Sequence, residues 1–226
     1  MEPLAVLIYS HRSGYLPLLE YQLKQAGIEQ HHIVDPEFSW RRRIIFTRDA
    51  GRLFPNRLLV FPDAWDTVLL GTKSELIALG LETCVTLAGA KNCWPDSREA
   101  DYASKQGDGL SPWRYVNSNP LAGIGNALAN IIDWGWERFP LKGDSRDIHE
   151  PAGEVCERFW TNLYLDTRFD IRIDSECRLS QSFISSVPGE LKADNGRLHN
   201  LVTGSTPVFF HLNGNHLLPE GLVALQ

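Results

Sequence analysis

The chain has 226 residues, 43% of them hydrophobic, with a formal net charge of −6 and a pI near 5.6. That length buries one sizeable core and leaves no room for a second catalytic module, so residues 1–226 read as a single domain. The acidic balance argues against a nucleic-acid surface, which needs a basic face.

The first apolar run, Leu4 to Tyr9, is too short and too poorly flanked for a signal peptide or a membrane span and reads as a strand. Tyr15 to Ala26 places Leu16, Leu19 and Leu23 at helical spacing and stops at Gly27, giving a β-turn-α unit. Ile33-Val34 suggests a short second strand, and Trp40 to Phe54 a helix or irregular crossover. The basic run Arg41-Arg42-Arg43 within it reads as a solvated helix face. Arg57 to Phe61 is the next strand, and Thr72 with Glu75 forms a capping box for a helix continued by Leu76, Ile77 and Leu79.

Cys84 to Leu87 reads as another strand, followed by a Trp-, Pro- and Gly-punctuated loop that runs to Trp113. Ile124 to Trp134 looks helical, Leu141 to Gly153 looks like a loop, and Val155 to Leu165 looks helical again. Strand-like runs follow at Phe169 to Ile173, Leu198 to Thr203 and Pro207 to His211. Alternating strands and helices with a strand-rich tail predict an α/β domain whose sheet is mostly parallel with antiparallel additions. Cys84, Cys93, Cys156 and Cys177 lack Cys-x-x-Cys spacing, which points to free thiols in a reducing cytoplasm rather than to a zinc site or a redox pair.

The segment richest in chemistry is Leu58-Leu59-Val60-Phe61-Pro62-Asp63-Ala64-Trp65-Asp66, an apolar strand that runs into two aspartates around an aromatic. A buried strand ending in carboxylates is a common way for α/β proteins to hold a divalent metal against a nucleotide diphosphate. A nucleotide-sugar enzyme is therefore the first hypothesis; the plainer alternative is a loop carboxylate pair capping nearby amides. Asp144 and Asp147 form a second Asp-x-x-Asp in a loop-like stretch.

Several segments, taken in order, resemble the glycosyltransferase domain of the procollagen lysyl hydroxylases and related collagen glycosyltransferases. They are Ile8 to Tyr15, Asp63 to Gly71, Cys93-Trp94-Pro95-Asp96, Asn117-Ser118, Tyr164-Leu165-Asp166 and His211-Leu212-Asn213-Gly214. The resemblance implies a GT-A-like, Rossmann-type domain with a mostly parallel mixed sheet flanked by helices. It further implies transfer of a hexose from a UDP-sugar, with manganese or another divalent cation, to an unknown hydroxyl acceptor of the hydroxylysine type or on another protein or glycan. Carried over by motif, Asp63, Asp66 and His211 bind the metal, and Trp65 is the platform for uracil. Asn213 and Gly214 line the diphosphate, and Ser10 contacts the nucleoside. Trp94, Asn117 and Ser118 face the sugar or acceptor, although Asn119-Pro120 stands here where the family has glycines. Cytoplasmic location, no membrane span and no nucleic-acid partner complete the expectation.

The departure from the family lies at Gly153-Glu154-Val155-Cys156-Glu157-Arg158, where the resemblance calls for an Asp-rich run. Cys156 falls where an aspartate is expected and Glu157 one position later, so Glu157 is the expected catalytic carboxylate. The lysine that follows the family's His-x-Asn-Gly is also absent, which leaves His216 or one of Arg41 to Arg43 to neutralise the diphosphate. Two rival classes remain: a degenerate binder of nucleotide-sugar or glycan disabled at Cys156, and a metal-dependent phosphoesterase that activates water.

Overall fold

Strand β1 (Leu4–Ser10) is buried over its whole length, which accounts for an apolar run without alternation: both of its faces are covered. The computed structural model describes residues 4–10, 16–107, 111–141, 156–166, 168–187 and 189–213. Gly214, His216, Asp144, Asp147 and Glu154 lie outside the described residues. Helix α1 (Leu16–Gln25) buries Leu16, Leu19 and Leu23, and Gly27 takes the left-handed turn that ends it. Then come β2 (Gln30–Val34), α2 (Trp40–Leu53), β3 (Leu58–Phe61), β4 (Thr67–Leu69) and α3 (Lys73–Ala78). The capping box of Thr72 and Glu75 opens α3 as the sequence suggests. The order continues with β5 (Val85–Ala90), α4 (Glu99–Gln106), β6 (Tyr115–Ile124), α5 (Gly125–Arg138) and α6 (Cys156–Leu165). Five short strands close it: β7 (Ile171–Asp174), β8 (Ser180–Ser182), β9 (Leu191–Asp194), β10 (Arg197–Asn200) and β11 (Phe209–His211).

The main sheet has six strands in the order β2-β1-β3-β6-β5-β7. Every neighbouring pair is parallel except the two that involve β6, so the sheet is mostly parallel and mixed, as expected. Alternate residues of β1 feed two cores. Ala5, Leu7 and Tyr9 pack with α2, α5 and α6, whereas Leu4, Val6 and Ile8 pack with α1, α3 and Phe209. This gives the Rossmann-type arrangement of helices on both faces of one sheet. A second sheet, β4-β11-β8, sits beside it, and β9 and β10 form a hairpin.

Helices α2 and α5 approach each other through glycine. A Cβ on Gly51 would lie 2.4 Å from the Gly125 carbonyl oxygen, and one on Gly125 would lie 2.2 Å from that of Phe54. Among the described residues no helix is long and apolar enough to cross a membrane.

Two sequence expectations need correction, and one strand lies in a stretch left unassigned. The stretch expected to loop through to Trp113 contains α4, whose helix-forming residues are obscured by flanking Trp and Pro and which buries one side chain, Tyr102. The ten-residue β6 falls where the sequence analysis assigns no element, its polar middle Asn117-Ser118-Asn119-Pro120 following no strand period. Those residues form an irregularity: β5 pairs Leu87 with Leu121 and Ala88 with Asn117, which leaves Ser118, Asn119 and Pro120 without partners on β5. The basic run is not a uniformly solvated face, since Arg43 is buried.

Arg57, buried at the start of β3, joins the edge of the sheet to its centre. Its guanidinium donates to both carboxylate oxygens of Glu29, at 2.8 and 2.7 Å, and to the Leu4 carbonyl at 2.9 Å. These bonds, with His31 as second partner, pull the Glu29 carboxyl from 4.5 down to about 2. A depressed carboxylate stabilises the fold above its unfolded value and loses that contribution as pH falls through the folded one. Glu29→Gln is expected to cost about 1–2 kcal/mol at pH 7, after allowing for the solvent exposure of Glu29. The gap between wild type and variant should close between pH 4.5 and about 2; urea unfolding across that range checks it, and a gap independent of pH would refute it.

Candidate functional site

Strand β3 ends at Phe61, and the chain turns through Pro62 to Asp66 before β4 begins at Thr67. Asp63 shapes that turn by accepting the Trp65 amide at 3.0 Å. Strand β11 pairs antiparallel to β4 with His211 opposite Thr67, and the Leu212 amide donates to the Asp66 carbonyl at 2.7 Å. This register sets the His211 ring against the Asp66 carboxylate, with Nε2 to Oδ1 at 3.1 Å. One potential ligand atom from each of Asp63, Asp66 and His211 lies within 4.8 Å of the other two.

The electrostatics follow from crowding. Burial, and then the Asp66 charge, push the Asp63 carboxyl above the usual range, against the pull of Arg43 and His211. Burial alone would lower His211, but Asp66 outweighs it by charge and hydrogen bond, so the imidazole is raised. Two carboxylates and an imidazole suit a divalent cation of manganese type. The strain that raises Asp63 is what such a cation would relieve, so the residues present fit one. The Asn117 and Asn213 amide nitrogens lie 3.4 and 3.3 Å from His211 Nδ1 and hold the far edge of the ring.

Asn213 adopts a positive φ of 53°. Its side-chain oxygen accepts from Ser182 Oγ at 2.7 Å and from the Phe183 and Ile184 amides at 2.9 and 3.1 Å. Asn213 therefore fastens the turn after β8 beneath His211. Trp65 is half-buried and packs at the edge of the second core, 6.0 Å from the ring of Phe38. Ser10 is fully buried and its hydroxyl is engaged with His32 Nε2 at 3.0 Å.

The irregular segment of β6 carries the other expected residues. Ser118 donates to Glu157 Oε1 at 2.8 Å and lies 3.0 Å from the Cys156 sulfur. Cys156 is buried in the first core, and its thiol donates to Glu157 Oε2 at 3.3 Å. Burial foremost, and then the Glu157 charge, raise that thiol well above its ordinary range. Trp94 is exposed, and the chain just after it is tied to α6 at two points. Arg158 donates to both oxygens of Asp96, at 2.8 and 3.0 Å, and Arg98 donates to Asn162 at 2.7 Å.

Sequence reasoning missed Arg43 as an individual. Arg43 donates to Asp63 Oδ2 at 3.2 Å, and its other terminal nitrogen donates to the Asn119 side-chain oxygen. By contrast, Arg41 lies over the Trp136 ring and Arg42 pairs with Asp35 and Glu37. A signal existed: Trp40, Arg43, Ile44 and Thr47 form a buried stripe at helical spacing, and a charge on such a stripe needs a partner.

Comparison with known proteins agrees with this architecture. Residues 52–219 match the family model described as PLOD GT domain. Over 166 residues the chain is 24% identical to the multifunctional procollagen lysine hydroxylase and glycosyltransferase LH3 of Pongo abelii, and 23% identical to the Homo sapiens protein of the same name. Each alignment covers 70% of this chain and 20% of the relative, so the chain spans about one fifth of these relatives' length.

Asn213→Ala should leave the three donors from Ser182, Phe183 and Ile184 without their acceptor, at a cost of about 2–4 kcal/mol. Asn213→Asp keeps an acceptor oxygen and is expected to stay within about 1 kcal/mol of wild type. Urea denaturation of both variants tests the order, and equal losses would show that the acceptor is not what holds the turn.

Proposed function

The chain belongs to the PLOD GT domain family and carries a glycosyltransferase domain; from that premise we propose that it transfers a hexose from a UDP-sugar to an acceptor hydroxyl, with manganese or a similar divalent cation at Asp63, Asp66 and His211. The observation that carries this reading is the convergence of those three side chains within 4.8 Å at the end of a central strand. When bound, the cation supplies charge neutralisation to the departing diphosphate.

The remaining roles belong to the chain's own side chains. Trp65 offers a flat apolar face to uracil, with Asn213 and Gly214 beside the diphosphate, whereas the Ser10 side chain expected at the nucleoside is buried against His32 and is left out of the reading. Asn117 and Ser118 border the sugar, and Trp94 stands toward the acceptor. Glu157 is the catalytic carboxylate: held by Ser118 and Cys156, it takes the acceptor proton or stabilises the oxocarbenium-like transition state. The acceptor is a hydroxyl, of the hydroxylysine type or on another protein or glycan, and acceptor choice resides in the loops.

A second reading is favoured by one observation. Cys156 occupies the position where the resemblance calls for an aspartate, and its buried, neutral thiol is no base. A protein that holds a nucleotide-sugar without turning it over is consistent with that change.

UDP is expected to stabilise the protein only in the presence of manganese or a similar cation, because Asp63 and Asp66 otherwise repel the diphosphate. At a hundred times its dissociation constant the ligand should add about 2.7 kcal/mol. The same thermal shift in chelator as in manganese would end the metal assignment.

Glu157→Gln separates transferase from binder. In an active enzyme it should lower turnover, read as UDP release from the UDP-sugar, by on the order of 10²-fold with UDP affinity unchanged. In a binder it changes nothing, while Cys156→Asp restores weak release. Robust wild-type turnover indifferent to Glu157→Gln would refute the catalytic assignment.

A further inference from the structure

The guanidinium of Arg43 is an unusual neighbour for a cation site. It is 6% exposed and anchored on α2, with its terminal nitrogens divided between a charged acceptor, Asp63, and a neutral one, Asn119. Its Cζ lies over the Trp40 ring, 6.0 Å from the centroid, and its own backbone carbonyl accepts the Thr47 hydroxyl at 2.9 Å. The charge is therefore fixed beside the carboxylates on a rigid element. It also lies upstream of the residues that match the family model, 52–219.

We propose that Arg43 is an exchangeable counter-cation of this site: it holds Asp63 when no divalent cation is bound, and once the carboxylate is taken by the cation it becomes the donor that binds the nucleoside diphosphate. The inference rests on the metal-dependent donor site proposed above. The chain supplies its own positive charge to a buried carboxylate that stands next to a second one, because leaving that pair uncompensated would be costly. A divalent cation must compete with that charge, so the guanidinium weakens cation binding. Afterwards Arg43 retains only the neutral Asn119 oxygen and has a fork of N–H donors free beside a now positive centre. A planar, permanently charged fork matches two phosphate oxygens better than any other side chain. The outcome is ordered binding, cation before nucleotide, with cation affinity given up for diphosphate affinity. Arg41 and Arg42 do not compete for the role, since they are engaged with Trp136, Asp35 and Glu37.

The test is direct titration of manganese without nucleotide, by the electron paramagnetic resonance signal of the free ion, followed by calorimetric titration of UDP at saturating manganese. Arg43→Met should bind manganese about tenfold tighter or more, as expected when a neighbouring unit charge is removed. UDP should bind this variant about tenfold weaker. Arg43→Lys, which keeps the charge but not the fork, should stay within a few-fold of wild type for manganese and lose UDP affinity. Where Arg43→Met does not fold, Arg43→Gln, which is neutral but keeps an amide donor at this position, carries the same expectation.

Thermal melting gives a readout independent of nucleotide. The neutral variant should melt lower than wild type in chelator and gain more from manganese. Equal or weaker manganese affinity in the neutral variants overturns the inference while leaving the metal reading intact. Tighter manganese with unchanged UDP affinity overturns the diphosphate role. No manganese binding by any of these proteins overturns both the inference and the metal reading.

Discussion

The break in pairing between β5 and β6 is the feature on which the candidate site depends. In an unbroken ladder successive side chains alternate between two faces, so neighbouring residues cannot reach several elements at one place. Releasing Ser118, Asn119 and Pro120 from partners on β5 removes that constraint. Asn117 then reaches Ser182 on β8 and His211 on β11, Ser118 reaches Glu157 on α6, and Asn119 accepts from Arg43 on α2. A single stretch of backbone thus ties the proposed cation ligands, the proposed catalytic carboxylate and the internal cation into one arrangement. Proline is tolerated in so central a strand because it falls within the irregular stretch, where no ladder bond to β5 is lost.

The groups fastened there are expensive to bury, and they persist because each is satisfied. The ion pairs of Arg43 with Asp63 and of His211 with Asp66 are better understood as fixing geometry than as adding net stability, since an apolar pair of similar shape would cost less to desolvate. Stability comes instead from the two apolar layers fed by alternate residues of β1. The close contact of α2 and α5 at Gly51 and Gly125 lets α2 sit against its neighbour without intervening side chains. The same buried face of α2 carries Arg43, so the glycine contact that seats the helix also sets where the guanidinium stands.

Much of the fold was legible in the sequence wherever one element obeyed one period. The uninterrupted apolar run of β1, the Leu16–Leu19–Leu23 stripe of α1 and the capping box of α3 are local signals that tertiary contacts did not override. β6 was illegible because its polar middle obeys neither period and acquires meaning only from partners in distant elements. α4 was hidden because a single buried residue, Tyr102, anchors it, so the stripe that would have revealed it is absent. At the site, the nearness of Asp63 to Asp66 is written in the chain, but their meeting with His211 depends on β4–β11 register. Arg43 was visible only as one of a basic run, because the property that singles it out is the helix face on which it falls.

The exchange of residues at the start of α6 turns on helix geometry. Successive residues of an α-helix are rotated by about 100°, so Glu157 does not occupy the direction of Cys156. Cys156 faces the apolar layer with Phe159 and Trp160, where its thiol stays protonated and donates to the neighbouring carboxylate. Glu157 is longer than an aspartate by one methylene and half-buried, and it is held at both oxygens, by Ser118 on one side and Cys156 on the other. Those two donors restrict its rotamer, as the carboxylate role proposed for it requires. The cysteine therefore supports the carboxylate beside it, and Ser118, Glu157 and Cys156 form one hydrogen-bonded group.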